Sequence, residues 1–113
     1  MHELGISQSL VAIVSEQAQG KKVHRVWLEI GEYTALMPDA LRFCFDVVTR
    51  GTVLEGAKLD IVEISPGMQC EECGTYSSSQ HAIGDCEQCG STRLRKRTGD
   101  ELNIKAMEVE TCA

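Results

Sequence analysis

Residues 70–90 read CEECGTYSSSQHAIGDCEQCG, and this stretch contains two CxxC pairs with twelve residues between them. The four cysteines of these pairs are Cys70, Cys73, Cys86 and Cys89. Two thiolates three positions apart can bind one metal ion from a single tight turn, and the glycine after each pair lets the backbone fold beneath the ion. Two such turns complete a tetrahedral four-cysteine site, which for zinc is usually structural and closed.

The segment around these cysteines, residues 66–99, has few side chains with which to build a core. Its apolar residues other than cysteine are Met68, Tyr76, Ala82, Ile83 and Leu94. Ordering each backbone residue costs about 1–2 kcal/mol, which so few buried side chains cannot offset. We therefore predict that this segment folds only around a metal ion. We favour Zn(II), with iron as the rival, because iron-binding rubredoxins carry more aromatic residues around the same paired turns.

The hydrophobic periodicity of the remaining chain predicts an α+β fold. Apolar residues at helical spacing indicate helices over 4–19 and from Pro38 to just before Gly51, and alternating residues indicate strands over 23–31, 57–64 and 101–109. Because a single final strand is unstable alone, we expect it to pair with the first two strands in a small three-stranded sheet. The cysteine segment is then an insertion. This predicts a discontinuous domain, 1–65 and 100–113, with a zinc-ribbon domain at 66–99.

Composition and charge exclude several classes of function. The net charge of −6 argues against general nucleic-acid binding, and the single basic cluster, RLRKR at 93–97, is either a solvated strand or a docking patch for an acidic partner. No run of 18 apolar residues and no signal-peptide pattern is present, so we expect a cytoplasmic protein without a membrane span. The chain also lacks a phosphate-binding loop and an HExxH motif, so we predict that the protein is not an enzyme.

The chain begins Met1-His2-Glu3, a tripeptide that can chelate a metal ion. The α-amine, the amide nitrogen of His2 and its imidazole can form fused rings around one ion, and either the carboxylate or the amide nitrogen of Glu3 can fill a fourth position. Nitrogen-rich coordination of this kind suits Ni(II) or Cu(II). A helix that follows immediately opposes a cation at its N-terminus, where the backbone dipole is positive.

Four stretches of the sequence, taken in order, resemble one known family. They are MHELGISQSL at 1–10, VWLEIGE at 26–32, RFCFDVVTRGT at 42–52 and the paired CxxC turns. Together they are similar to the nickel metallochaperones of nickel–iron hydrogenase maturation, the HypA/HybF family. The resemblance covers essentially the whole chain, and it implies a nickel-binding α/β domain with a zinc ribbon inserted before the last strand.

The resemblance also implies site residues and partners. Nickel ligation would fall on Met1, His2 and Glu3, with His2 indispensable, and structural zinc on the four cysteines. The partners implied are a maturation GTPase and the hydrogenase large-subunit precursor, and in some members urease maturation as well.

The alternative function is a zinc-ribbon adaptor that binds protein or nucleic acid and carries no labile metal. Cys44 is expected in the core, Cys112 in the tail and His81 in the loop between the two turns.

Overall fold

The computed structural model describes residues 2–78 and 85–111, so Met1, His81 and Cys112 lie outside the described residues. In chain order the elements are α1 (His2–Ala18), β1 (Val23–Gly31), a short 3-10 helix (Glu32–Thr34), α2 (Pro38–Val48), β2 (Lys58–Ile64), β3 (Gly67–Cys70), β4 (Tyr76–Ser78), β5 (Leu94–Thr98) and β6 (Leu102–Val109). The α+β class is confirmed, with two helices and two small sheets.

Helix α1 begins earlier than its hydrophobic pattern predicts. The expected start is residue 4, whereas the first helical residue described is His2, so His2 and Glu3 lie in the first turn. The buried apolar residues of this helix are Leu10, Val11, Val14 and Ala18. Ile13 has the spacing of this apolar stripe in the sequence but is 52% exposed. The helix ends before Gly20, which has the left-handed φ of +84° that glycine adopts without steric cost.

Helix α2 packs with the face that its sequence predicts. Pro38 occupies the first turn, where the absence of an N–H costs no hydrogen bond. Leu41 and Phe45 are buried, and Cys44 is half-buried on the same face. The opposite face leaves Phe43 exposed to 70% of its surface.

The final strand returns to the first sheet, as predicted. The strand order is β2-β1-β6, so β1 is central and pairs with β6 across the inserted segment. Val26 and Leu28 of β1 are buried, as is Leu59 of β2. Glu110, just after β6, donates its backbone N–H to the carbonyl of Lys22, just before β1, at 2.8 Å. The strand order therefore confirms that the cysteine segment is inserted between two strands of one sheet.

The second sheet has the order β4-β3-β5 and is antiparallel throughout. The β3–β5 pairing contains a bulge between Gly67 and Met68. At this end of the sheet the Tyr76 hydroxyl lies 2.9 Å from the Thr98 hydroxyl. At the other end, β3 finishes at Cys70, which places the first metal-binding turn directly after a paired strand.

The chain divides into two compact units. One comprises Met1–Glu29, Leu36–Val62 and Asn103–Ala113, and the other comprises Ile30–Ala35 and Glu63–Leu102. The sequence contains no signal that places Ile30–Ala35 with the cysteine segment. The domain bounds given above, 1–65 with 100–113 and 66–99, stay a prediction. Within the described ranges, neither helix has the length and hydropathy that crossing a bilayer requires.

Two glycines explain why Ile30–Ala35 belongs to the second unit. Gly31 donates its backbone N–H to the carbonyl of Glu101 at 2.7 Å, and Tyr33 donates to the carbonyl of Gly99, also at 2.7 Å. A Cβ atom on Gly31 would overlap the carbonyl group of Gly99. Gly99 itself has a φ of +119°, a backbone angle that residues with a side chain rarely adopt. The two chain segments approach this closely only because both residues lack a side chain.

We expect Gly31→Ala to lower the free energy of unfolding by about 1–3 kcal/mol or more, because the added methyl group meets backbone atoms that cannot rotate away. The φ of Gly31 is −78°, so backbone strain does not contribute. Urea unfolding of the zinc-loaded protein measures the change. Gly5→Ala is the control: its Cβ meets nothing within 4 Å, and alanine in a helix should add about 0.5–1 kcal/mol. Equal stability of the two variants would refute the close-approach argument.

Candidate metal centre

The four cysteines of the CxxC pairs come together as predicted. Their sulfur atoms all lie within 4.8 Å of one another. The Sγ atoms of Cys70 and Cys89 are 3.6 Å apart, and those of Cys73 and Cys86 are 3.5 Å apart. A tetrahedron with zinc about 2.3 Å from each sulfur has edges of about 3.8 Å. The spacing therefore fits one tetrahedral ion.

The two metal-binding turns share the same backbone hydrogen bonds. Gly74 donates its N–H to the carbonyl of Cys70 at 3.0 Å, and Gly90 donates to the carbonyl of Cys86 at 2.9 Å. Both glycines have left-handed backbone angles, with φ of +79° and +75°. This conformation turns the chain back beneath the sulfurs, and a side chain would strain it. The glycine that follows each CxxC pair in the sequence thus has the structural role expected of it.

A second bond in each turn links the first cysteine to the residue after the glycine. Cys70 donates its N–H to the carbonyl of Thr75 at 2.9 Å, and Cys86 donates to the carbonyl of Ser91 at 2.8 Å. Both acceptor residues carry a hydroxyl group. The acceptors in these two bonds are backbone carbonyls, however, so the bonds do not depend on the hydroxyl groups.

The surroundings of the first turn favour the thiolate form. Hydrogen bonds from the hydroxyl and the backbone N–H of Thr75 lower the pKa of Cys73 to about 6. The Thr75 hydroxyl oxygen lies 3.1 Å from the Cys73 sulfur. The backbone N–H of Cys73, 3.5 Å from the sulfur of Cys70, lowers the pKa of Cys70 as well. Thiolates are the metal-binding form of cysteine, so these donors prepare the first turn for a cation.

In the second turn, the neighbouring thiols oppose ionisation of Cys89. The backbone N–H of Ser91 lowers the pKa of Cys89, but the thiol of Cys70 and the other nearby thiols outweigh it and raise the pKa of Cys89 to about 12. Four negative charges within this distance repel one another, so the last proton leaves only when a cation compensates. Cys70 and Cys86 are buried, whereas Cys73 and Cys89 are exposed. Four protein sulfurs leave a tetrahedral ion no open position, which is the mark of a structural site.

The N-terminal residues form no comparable cluster among the residues that the structure describes. His2 is exposed at the start of α1. The carboxylate of Glu3 accepts a hydrogen bond from the backbone N–H of Met37 at 3.1 Å. No local sequence pattern predicts this bond, because the two residues are 34 positions apart in the chain.

The basic run at 93–97 is partly neutralised within its own unit. Arg93 forms ion pairs with Glu71 at 3.3 Å and with Glu72 at 3.7 Å. Lys96 pairs with Asp100 at 3.2 Å and lies 4.8 Å from the centre of the Tyr33 ring. These contacts favour a solvated strand over a continuous basic surface for nucleic acid.

Comparison with known proteins identifies the family. Residues 1–109 match the family described as hydrogenase/urease nickel incorporation, metallochaperone, hypA. This chain belongs to that family. It is 56% identical over 111 residues to the hydrogenase maturation factor HypA of Nostoc punctiforme, covering 97% of this chain and 96% of the relative. The HypA of Trichormus variabilis is 54% identical over 110 residues, with the same coverage.

Solved structures of the family have the same fold. The solution structure of a HypA protein covers 97% of both chains with a TM-score of 0.77 and 29% identity. The solution structure of the nickel metallochaperone HypA from Helicobacter pylori covers 95% of this chain and 96% of its own, with a TM-score of 0.66 and 25% identity. The resemblance inferred from sequence is thus confirmed, and the family is one of metallochaperones rather than of enzymes.

We expect Cys73→Ser to weaken zinc binding by more than about 100-fold, because loss of an outer-shell group alone costs about 10–100-fold. Metal analysis of the purified protein should show one zinc ion per chain in the wild type and much less in the variant. Cys44→Ser is the matched control, since Cys44 is half-buried on α2 and is not among the clustered sulfurs. Full zinc content in Cys73→Ser would exclude the four-sulfur site.

We expect Thr75→Val to move acid-induced zinc release to higher pH. The Thr75 hydroxyl lowers the pKa of Cys73, so the thiolate persists as the pH falls towards about 6. Without that donor the pKa of Cys73 rises, and protons compete with zinc at a higher pH. A chromogenic zinc indicator followed during acid titration measures the midpoint. Thr92→Val, at an exposed threonine of the same segment, should release zinc at the wild-type midpoint.

Proposed function

We propose that this protein is a nickel carrier that binds Ni(II) through Met1, His2 and Glu3 and delivers it during hydrogenase maturation. One observation supports this proposal above the others: the helix starts at His2, so the N-terminal amide nitrogens lie in its first turn. The first four N–H groups of a helix have no partner within the helix. A metal ion can therefore replace the amide proton of His2 without breaking a helical hydrogen bond.

The ligand chemistry suits nickel. The α-amine, the amide nitrogen and the imidazole of the first two residues are nitrogen donors in consecutive chelate rings, and Glu3 completes the set. Such sets favour Ni(II) and Cu(II) over Zn(II). A deprotonated amide carries negative charge, which offsets the unfavourable effect of the helix dipole on a bound cation. Zn(II) would be held separately by the four cysteine thiolates.

Delivery requires that nickel be released, and the ligand set permits this. Protons and a metal ion compete for the nitrogen atoms of an amine and an imidazole. Acidification adds protons to both kinds of ligand and ejects the ion. We propose that the receiving proteins are a maturation GTPase and the hydrogenase large-subunit precursor, and that urease maturation is a further route. The reduced thiols of the zinc centre suit a cytoplasmic protein.

We expect His2→Ala to abolish specific Ni(II) binding while the protein retains one zinc ion per chain. Calorimetric titration of nickel into zinc-loaded protein measures both, together with metal analysis. The matched control is His24→Ala, because His24 is an exposed histidine on β1 whose imidazole lies 3.7 Å from Glu110. An extension that blocks the amine of Met1 should also weaken nickel binding. Unchanged affinity in His2→Ala would end the proposal, and displacement of zinc by the titrated nickel would place the labile ion among the thiolates.

A further inference from the structure

The hydrogen bond between Glu3 and Met37 resembles one half of a capping box made between two different helices. Met37 is the N-cap residue of α2, and no side chain of its own helix caps it. In a capping box, a Glu or Gln at the third helical position accepts a hydrogen bond from the N-cap N–H. In α2 that third position is Ala40, which has no acceptor. The carboxylate of Glu3, from α1, accepts this N–H instead.

The position of the carboxylate is also electrostatically favourable. The N-terminus of α2 carries the positive end of the helix dipole, and an anion there is stabilised. Pro38, the next residue, has no N–H of its own. A Glu3 carboxylate that moved onto a metal ion would leave the Met37 N–H without this acceptor, and α2 offers no replacement at its third position.

The bond holds the first turn of α1 in the conformation that a backbone chelate needs. Two successive backbone nitrogens face the same ion only when the intervening ψ angle is small. The helical ψ of about −42° is close to this condition, whereas a strand value of about +135° is far from it. Helix ends fray. The hydrogen bond between Glu3 and the start of α2 opposes fraying at the turn that contains His2.

From these observations we infer that the Glu3 carboxylate is a positioning group for the nickel site and not a nickel ligand. It raises nickel affinity by holding the helical first turn against the start of α2, which reduces the conformational entropy lost on binding. The contribution of Glu3 to the ion is then its backbone nitrogen. This inference rests on the nickel site proposed above.

The decisive comparison removes each partner of the hydrogen bond in turn. Glu3→Ala removes the acceptor, and Met37→Pro removes the donor while leaving the N-terminal tripeptide intact. The φ of −93° at Met37 is within about 30° of the proline value, and its ψ of 114° suits a residue that precedes Pro38. We expect Met37→Pro to weaken nickel binding about tenfold in the otherwise wild-type protein and to have no further effect in Glu3→Ala. Met37→Ala keeps the N–H and serves as the control with wild-type affinity.

A conservative variant separates the acceptor from the charge. Glu3→Gln retains an oxygen that can accept from Met37, so it should recover most of the affinity lost in Glu3→Ala. If the carboxylate were a nickel ligand, the opposite pattern would be expected. Met37→Pro would then bind nickel like the wild type, and the nickel affinity of Glu3→Gln would be as low as that of Glu3→Ala. Either result overturns the inference. Zinc content and far-ultraviolet circular dichroism establish that each variant is folded.

Hydrogen exchange of the Met37 amide gives a readout that does not depend on Met37→Pro folding. The amide should be protected in the wild type, should stay protected after nickel is added, and should lose protection in Glu3→Ala. Loss of protection on nickel loading of the wild type would show the carboxylate moving to the ion, against the inference. Wild-type nickel affinity in His2→Ala would instead refute the nickel site itself, while the dependence of Met37 protection on Glu3 would still be measurable.

Discussion

The structure of the second unit depends on the electrostatic repulsion between four cysteine thiolates. Their sulfur atoms all lie within 4.8 Å of one another. Thiolates at this spacing cannot all ionise unaided, as the pKa of about 12 at Cys89 illustrates. A dication reverses the sign of the interaction, because each thiolate then gains an attractive partner. Among its described residues, the small sheet of β3, β4 and β5 has few buried apolar side chains, so we predict that metal binding and folding of this unit are one process.

The two proposed metal sites differ in ways that follow from their ligands. Four sulfurs on two hydrogen-bonded turns surround an ion completely, and this geometry suits permanent binding. Nitrogen ligands at the exposed start of a helix leave the ion accessible and in competition with protons. The same chain can therefore keep one ion for its architecture and release another, because sulfur and nitrogen sites select different metals.

The residue at which α1 begins is important for the proposed nickel site. A helix that began at residue 4 would leave His2 and Glu3 outside the helix, whereas one that begins at His2 places their amide groups, which have no acceptor within the helix, in a defined turn. The bond from Glu3 to Met37 then links this turn to the second helix. Glycines 31 and 99 have a comparable role in the second unit, where the absence of side chains lets two distant segments form backbone hydrogen bonds.

Local patterns in the sequence were sufficient for the two helices, the three strands of the first sheet and the four clustered cysteines, because periodicity and CxxC spacing are short-range signals. The pairing of β6 with β1 also followed from the sequence, since a final strand needs a neighbour. Three features needed the tertiary structure: the membership of Ile30–Ala35 in the second unit, the exposure of Ile13, and the tie between Glu3 and Met37. Each depends on residues far apart in the chain, and a contact of that kind leaves no mark in the spacing of neighbouring residues.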